Sequence, residues 1–375
     1  MAYYSIFPEK DTTIYSHPDR LEMNTGNDEI LELVKEKGSS NSHYYSSRIL
    51  IKFKDEDIKN AFTKISPKKP DIFLQLFSTE HKNLSQNHII ETFAVSESWD
   101  EGTGKYSNLP TSSNGCTWLY RDNSTRTSKW KTSEFALYST GSINSSIIPE
   151  GGGTWYDKFP NNITLNIGTT QSFSNADLLD LNLNVTTITN LIKIGSIKNQ
   201  GYIIKNNDNT ETYTSSSRGY LQYFSSNTHT IYPPKLTFKW DDSIHDSQSL
   251  AKSSGELNTS LYRNKKEYNQ NDEALIRLHV RDKYPTRQFT SSSNYLNPGY
   301  FTTSSFYSIR DAHTEEEIIP FDNDYTKLSA DDEGMYFKLY MKGLQPERYY
   351  RILFKHINND GTEVFDNNYH FKVIR

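Results

Sequence analysis

The sequence predicts an all-β protein built as one β-sandwich followed by another. Three observations lead there. Short runs of alternating apolar and polar residues recur along the chain, divided by Gly, Asn and Ser turns. Aromatic residues reach 13%, with 26 Tyr and 19 Phe, and such side chains suit pleated, half-buried surfaces. Finally, Leu344-Gln345-Pro346-Glu347-Arg348-Tyr349-Tyr350 is a Leu-x-Pro-x-x-x-Tyr corner entering a strand, where a Tyr hydroxyl can tie back to nearby backbone.

The elements follow in order. Residues 27–35 fit either a helix after Gly26 or a strand with Ile30, Glu32 and Val34 on one face, and the strand fits better. Residues 47–54 carry Ile49, Ile51 and Phe53 on one face, as a half-buried strand does. Residues 71–77 are apolar on both faces, as expected inside a sandwich. Further strands are predicted at 89–95, 163–167, 202–205, 219–224 and 236–240. Residues 184–193 place Ile188, Leu191 and Ile192 at helical spacing, which predicts a short helix over one end of the sandwich. Between 96 and 155 the loops lengthen and hold Trp99, Trp118, Trp130 and Trp155. Long loops in a compact domain tend to be functional surfaces. In the last third, strands are predicted at 274–280, 307–310 and 335–341. Residues 350–356 pair with 369–374 across Asn359-Asp360-Gly361, whose Asp-Gly step is a strong hairpin signal.

These elements assign residues 1–241 to the first sandwich, the polar stretch 242–255 to a linker, and 256–375 to the second sandwich. Net charge is -5. With no excess of cations to neutralise phosphates, the chain is expected to be a poor general binder of nucleic acid or anionic membrane, so neither nucleic-acid binding nor membrane insertion is expected. Cys116 is the only cysteine, so no intrachain disulfide staples the chain. The first ten residues have no basic region and no long apolar core, so no secretory leader is expected. No run approaches the roughly 18 apolar residues of a membrane span, and a soluble protein made in a cytoplasm is the expectation.

Several pieces of the first sandwich carry a resemblance. They are Asp11-Thr12-Thr13-Ile14-Tyr15, Asn24-Thr25-Gly26 and Ser47-Arg48-Ile49-Leu50-Ile51-Lys52-Phe53. Trp99-Asp100-Glu101-Gly102-Thr103-Gly104, Gly115-Cys116-Thr117-Trp118 and Leu183-Asn184-Val185-Thr186 follow. Asn199-Gln200-Gly201-Tyr202-Ile203-Ile204 and Pro233-Pro234-Lys235-Leu236-Thr237-Phe238 close the series. In this order they resemble the DNRLRE-type jelly-roll domains, related to carbohydrate-binding modules of bacterial surface and polysaccharide-degrading proteins. The chain departs from the pattern at Lys54, where the family has Asp, and in a longer segment 123–160. The resemblance implies a jelly-roll β-sandwich, with a host-surface glycan as a candidate ligand.

The last third carries Val280-Arg281-Asp282-Lys283-Tyr284-Pro285-Thr286-Arg287, Ser308-Ile309-Arg310-Asp311-Ala312-His313-Thr314-Glu315-Glu316, Ile319-Pro320-Phe321-Asp322 and Gln345-Pro346-Glu347-Arg348-Tyr349-Tyr350. With these residues it resembles a module of virion proteins from marine contractile-tailed phages, with an immunoglobulin- or fibronectin-III-like sandwich. This implies a structural protein of the tail, baseplate or neck, located in the virion and assembled in the host cytoplasm. Its partners would be other virion proteins, in a homo- or hetero-oligomer.

Catalytic, cofactor and metal sites are not expected. The sequence has no His-Glu-x-x-His, no Cys pair, no phosphate-cradling glycine loop and no Gly-x-Ser-x-Gly. Asp100 and Glu101 are neighbours, whereas glycosidase carboxylates flank a bond at about 5 to 9.5 Å; anchoring a loop is the expected role. Asp322-Asn323-Asp324 is read as a turn rather than a calcium contact, and His279 as a structural strand residue. The four loop tryptophans are the candidate ligand or interface surface, with packing favoured over a sugar platform. Leu344, Pro346 and Tyr350 form the structural corner.

Overall fold

In the computed structural model of the protein, 50% of the chain is strand and 9% is helix, in several antiparallel sheets. The all-β prediction holds. The structure describes all residues except 1, 39–43, 108–112, 132–137, 141–148, 160–161, 174–178, 215–216, 247–250, 253–255 and 286–298.

The chain forms two compact units, each discontinuous in sequence. The N-terminal unit comprises 6–63 and 72–237, and the C-terminal unit comprises 238–375 with 1–5 and 64–71. This corrects the division expected at 1–241, 242–255 and 256–375. The leading residues join the C-terminal unit because their aromatic rings pack there. Tyr4 stands edge-on to Tyr340 at 5.6 Å and Tyr3 enters the core of that unit. The described part of 242–255 is not a free linker. The Ala330 amide donates to the Ile244 carbonyl (2.8 Å) and the Asp246 amide to the Ala330 carbonyl (3.0 Å). Ala251–Lys252 pairs in parallel with Tyr300–Phe301. A backbone ladder needs no apolar side chains, so polar composition concealed it. Residues 247–250 and 253–255 lie outside the described residues, as do Thr286 and Arg287 of the second resemblance.

In the N-terminal unit the large sheet turns on Tyr44–Lys52. That strand takes three antiparallel partners: Tyr202–Asn206, Lys10–Tyr15 and Ile30–Lys37. His88–Val95 continues the sheet beyond Tyr202–Asn206, and Tyr220–Phe224 continues it beyond Ile30–Lys37. Ser46 through Ile51 are buried without a break, so the half-buried strand expected at 47–54 is corrected. Leu50, on the same side as Arg48, packs into the tryptophan cluster, which covers the face expected to meet water. Elsewhere Asp71–Leu76 pairs with Leu181–Asn184. Ile72, Leu74 and Leu76 are buried while Phe73 and Gln75 are half-buried, so only one face of this strand enters the core. The predicted short helix is Thr186–Lys193. Its first residue is pinned by the Ile72 amide donating to Thr186 Oγ1 (2.8 Å). A second helix, Asp55–Ile65, was not predicted. Its acidic first turn and Lys64 in the last turn suit the helix dipole.

The C-terminal unit is a two-sheet sandwich. One sheet orders Leu257–Tyr262, Glu273–Asp282, Gly334–Tyr340 and Ser329–Asp331. The other orders Glu267–Asn269, Gly361–Ile374, Arg348–Asn358, Ser305–Asp311 and Glu317–Ile319. The sheets meet through rings, with Tyr307 stacked on Phe337 at 4.0 Å and Phe337 edge-on to Phe354 at 6.2 Å. The predicted hairpin is present, with Asn358 opposite Gly361.

Candidate functional site

The four loop tryptophans do not form a surface. Trp99, Trp118, Trp130 and Trp155 are 4%, 0%, 6% and 3% exposed and share one cluster with Ile14, Leu50, Val95, Cys116 and Ile203. Backbone carbonyls take up the indole N–H groups of three. Trp99 donates to Gln200 (2.8 Å), Trp118 to Pro149 (3.1 Å) and Trp130 to Thr117 (3.0 Å). With its polar handle satisfied inside the fold, a tryptophan has no reason to face solvent. The candidate ligand or interface surface is therefore corrected to core packing.

Charge lies directly against this cluster. Arg48 is wholly buried, its guanidinium 4.8 Å from the Trp118 ring and 5.3 Å from Trp155. Its Nε and Nη2 donate to the two carboxylate oxygens of buried Glu211 (2.9 and 2.6 Å), and Nη1 donates to the Gly152 carbonyl (2.8 Å). A Cβ on Gly152 would meet that guanidinium at 2.6 Å, which explains the expected tight bend beside the tryptophans. Lys205 pairs with Asp208 (2.7 Å), Glu91 (3.1 Å) and Glu211 (3.9 Å). Burial alone would lower the Lys205 pKa, but these carboxylates hold it above the ordinary value. Lys35 donates to the Glu211 carbonyl, and burial pulls its pKa down to about 8. Every charge here is bonded inside the protein, which makes the network a brace.

The motifs behind the jelly-roll resemblance converge on Asn24. Its Nδ2 donates to the carbonyls of Glu101 (2.6 Å) and Cys116 (2.9 Å), and its Oδ1 accepts from the Gly104 amide (2.9 Å). Glu101 Oε1 accepts from the Asp11 amide at 2.9 Å, the loop-anchoring role expected of it. Cys116 is buried, and burial pushes its thiol pKa up, away from the thiolate form.

One groove of the N-terminal unit is open, with a lining of mixed polarity and a volume of about 200 Å³. Tyr15, Tyr45, Tyr106 and Tyr220 wall it, and His17, Arg20, Glu32, Glu36 and Ser46 supply its polar groups. The sheet strands bring these residues together: Tyr220 lies opposite Val34, and Glu36 opposite Tyr45. Tyr106 arrives on a loop held by Asp28, whose carboxylate oxygens both accept from the Tyr106 amide (3.0 and 2.9 Å). Glu32 is fixed by Tyr15 Oη (2.7 Å) and Gln222 Nε2 (2.6 Å). The Arg20 guanidinium sits 4.6 Å from the Tyr106 ring centre.

No family model and no curated protein matches the chain. Among the solved structures with distant similarity are two. A DUF4785 family protein from Legionella pneumophila is 7% identical with a TM-score of 0.18, over 100% of this chain and 68% of that one. The beta-glucuronidase of Parabacteroides merdae is 10% identical with a TM-score of 0.15, over 96% of this chain and 35% of that one. Likeness this low carries no argument about fold or activity.

In the C-terminal unit the residues of the second resemblance brace one another. The Asp311 carboxylate accepts from the amides of His313 (2.9 Å) and Thr314 (3.0 Å) and from Arg348 Nη1 (3.0 Å). Ser308 Oγ donates to the Ile319 carbonyl at 2.8 Å. Asp322 Oδ1 accepts from the amides of Asp324 (2.8 Å) and Tyr325 (3.2 Å), the turn geometry expected of that triplet. His279 Nε2 lies 3.0 Å from the Glu333 carbonyl, in its expected structural role. At the corner Leu344 is buried, Pro346 is half-buried, and Tyr350 Oη donates to the Gln345 carbonyl at 2.9 Å. Among the described residues no cluster of three metal-binding side chains occurs, and no helix is long and apolar enough to cross a membrane.

Proposed function

We propose that the protein is a non-enzymatic structural protein of a bacteriophage virion, in the tail, baseplate or neck, acting through subunit–subunit contacts. The observation that carries this reading is the mutual bracing of the phage-like motifs. Asp311, Arg348, Ser308 and Ile319 are spent on holding one sandwich rigid, as an assembly part requires. Exposed Tyr284 (76%), Tyr349 (48%) and Val364 (55%) on the same unit supply apolar contact area for neighbouring subunits. The test is mass spectrometry of purified particles together with binding of the recombinant chain to particle components. The expected outcome is a fixed copy number per particle and stable association. Absence from particles, with no affinity for any of their proteins, defeats the proposal.

A second reading is a carbohydrate-binding module on a host-recognition device. The buried tryptophans no longer support it, but the tyrosine-walled groove does, because aromatic walls beside hydrogen-bonding groups suit a polyhydroxylated ring. Glycan-array binding by the full chain tests it, and a blank array removes it.

A further inference from the structure

We propose that Lys235 is an acylation site, whose side-chain amine takes an acyl group from a small acyl phosphate without a catalyst. The site is independent of both functional readings above. Lys235 opens the strand Lys235–Trp240 behind Pro233-Pro234, whose rings fix the backbone at the entry. Thr237 Oγ1 donates to Gln75 Oε1 (2.7 Å), which sets this strand beside Asp71–Leu76. The Lys235 Nζ is thereby carried over aromatic rings, 5.4 Å from the Phe77 centroid and 5.9 Å from that of Phe7. Tyr232 continues the same surface, 5.6 Å from Phe77 and stacked on Phe224 at 5.3 Å.

A lysine amine is a nucleophile when its lone pair is free and a reagent can reach it. The surroundings free the lone pair. Lys235 is 7% exposed, and among the described residues no acceptor and no carboxylate pairs with its Nζ. At more than 5 Å the rings replace only part of the lost hydration. Burial alone pulls its pKa from 10.5 down to about 8. At pH 7 its free-amine fraction is therefore about 300 times that of an ordinary lysine. Access is present as well. Among the described residues, the unpartnered polar atoms closed to solvent do not include Lys235 Nζ, so the remaining exposure reaches the amine. Lys35, also drawn down to about 8, is 1% exposed and its amine is bonded to the Glu211 carbonyl, so a reagent has no path to it.

The product suits this place better than the reactant does. Nζ attacks the acyl carbon, the bond from that carbon to the phosphate oxygen breaks, and the departing phosphate takes the amine's proton. The amide that forms is uncharged, so no ammonium remains to be desolvated among phenyl rings.

The experiment incubates the full chain with acetyl phosphate at pH 7 and follows acetylation residue by residue by peptide mass spectrometry, with exposed Lys54 as the reference. Lys235 is expected to react about tenfold faster than Lys54, less than the free-amine ratio because a less basic nucleophile is intrinsically weaker. Its rate should level off above about pH 8, whereas that of an ordinary lysine keeps climbing toward pH 10. Phe77→Ala rehydrates the amine and should slow Lys235 toward the Lys54 rate, with far-ultraviolet circular dichroism confirming the fold. If bare access governed the reaction, the same change would speed it. Acetylation of Lys235 no faster than that of Lys54 overturns the proposal. So does a rate that still climbs past pH 9, or a reaction in folded Phe77→Ala that is unchanged or faster.

Discussion

The two units keep their interiors together in different ways. The C-terminal unit fills the space between its sheets with apolar and aromatic side chains, such as Tyr307 on Phe337 and Tyr350 on Phe371. The N-terminal unit also has tryptophans inside, but sets Arg48, Glu211, Lys205 and Lys35 among its buried residues at 1% exposure or less. An apolar core loses stability in proportion to what is cut from it. A buried ion network does not, because removing one member leaves an opposite charge unpaired and desolvated. The first kind of interior tolerates change, and the second enforces one arrangement of strands.

The largest expected effect tests that contrast directly. Glu211→Ala strips Arg48 of both carboxylate contacts and deprives Lys205 of one. The N-terminal unit should lose about 3–5 kcal/mol. Tryptophan fluorescence in urea measures this, since four of the five tryptophans lie in that unit. The double variant Arg48→Met/Glu211→Leu should recover most of the loss, because two apolar groups replace two charges. If the single variant unfolds at the wild-type midpoint, the network is ornamental and the contrast collapses.

The second prediction sharpens the comparison through pH, because the units' buried carboxylates respond in opposite directions. In the N-terminal unit Asp11 is 1% exposed, with Oδ2 accepting from the Ser226 amide (2.7 Å) and no hydrogen-bond partner for Oδ1. Burial, aided by the nearby Glu101 carboxylate, raises its pKa from 3.8 to about 7. A raised folded-state pKa means the native unit holds the proton more tightly than the unfolded chain. Its contribution is complete below about pH 4 and is lost as pH rises to about 7, at most roughly 4 kcal/mol. Asp11→Asn keeps an acceptor for Ser226 and should make the unit more stable at pH 8 and flatter with pH. In the C-terminal unit burial pushes Asp311 up, but the amides of Thr314 and His313 and the Arg348 guanidinium together hold it below its ordinary value. That contribution is present above the unfolded pKa and is lost as pH falls through the acid range. Urea midpoints at pH 5 and pH 8 should separate the wild type from Asp11→Asn. Equal slopes in the two proteins would remove Asp11 from the account.

How much of this was legible in the sequence follows the same division. Apolar runs marked the five longest C-terminal strands, such as Glu273–Asp282, which buries alternate residues, whereas Leu257–Tyr262, Glu267–Asn269, Glu317–Ile319 and Ser329–Asp331 went unmarked. The corner at Leu344 and Tyr350 was readable because its residues are local. Arg48 and Lys205 were not, since a charge in a strand pattern looks like a solvent face until a distant carboxylate is placed against it. The helix Asp55–Ile65 did leave a signal, with Ile58, Ala61, Phe62 and Ile65 buried at helical spacing, but its low overall hydrophobicity obscured it. The groove left none. Tyr15, Arg20, Glu36 and Tyr106 come from separate segments and meet only through strand register and the Asp28 contact. The tryptophans misled because long loops suggest exposure, whereas these loops fold back over Arg48.

The smallest expected effect belongs to the corner. Tyr350→Phe removes one hydroxyl, whose only role in the geometry is the bond to the Gln345 carbonyl. A neutral hydrogen bond is worth about 0.5–1.5 kcal/mol net. The value should lie at the low end, because Gln345 is half-buried and water can reach its carbonyl in the variant. The ring stays stacked on Phe371 at 5.6 Å, so packing is preserved. Amide exchange at Gln345 through Tyr350 should quicken locally while the rest of the sandwich keeps its protection. A loss as large as that of Glu211→Ala would mean that the C-terminal unit, too, depends on a single polar contact, and the difference between the two interiors would then be one of composition rather than of tolerance.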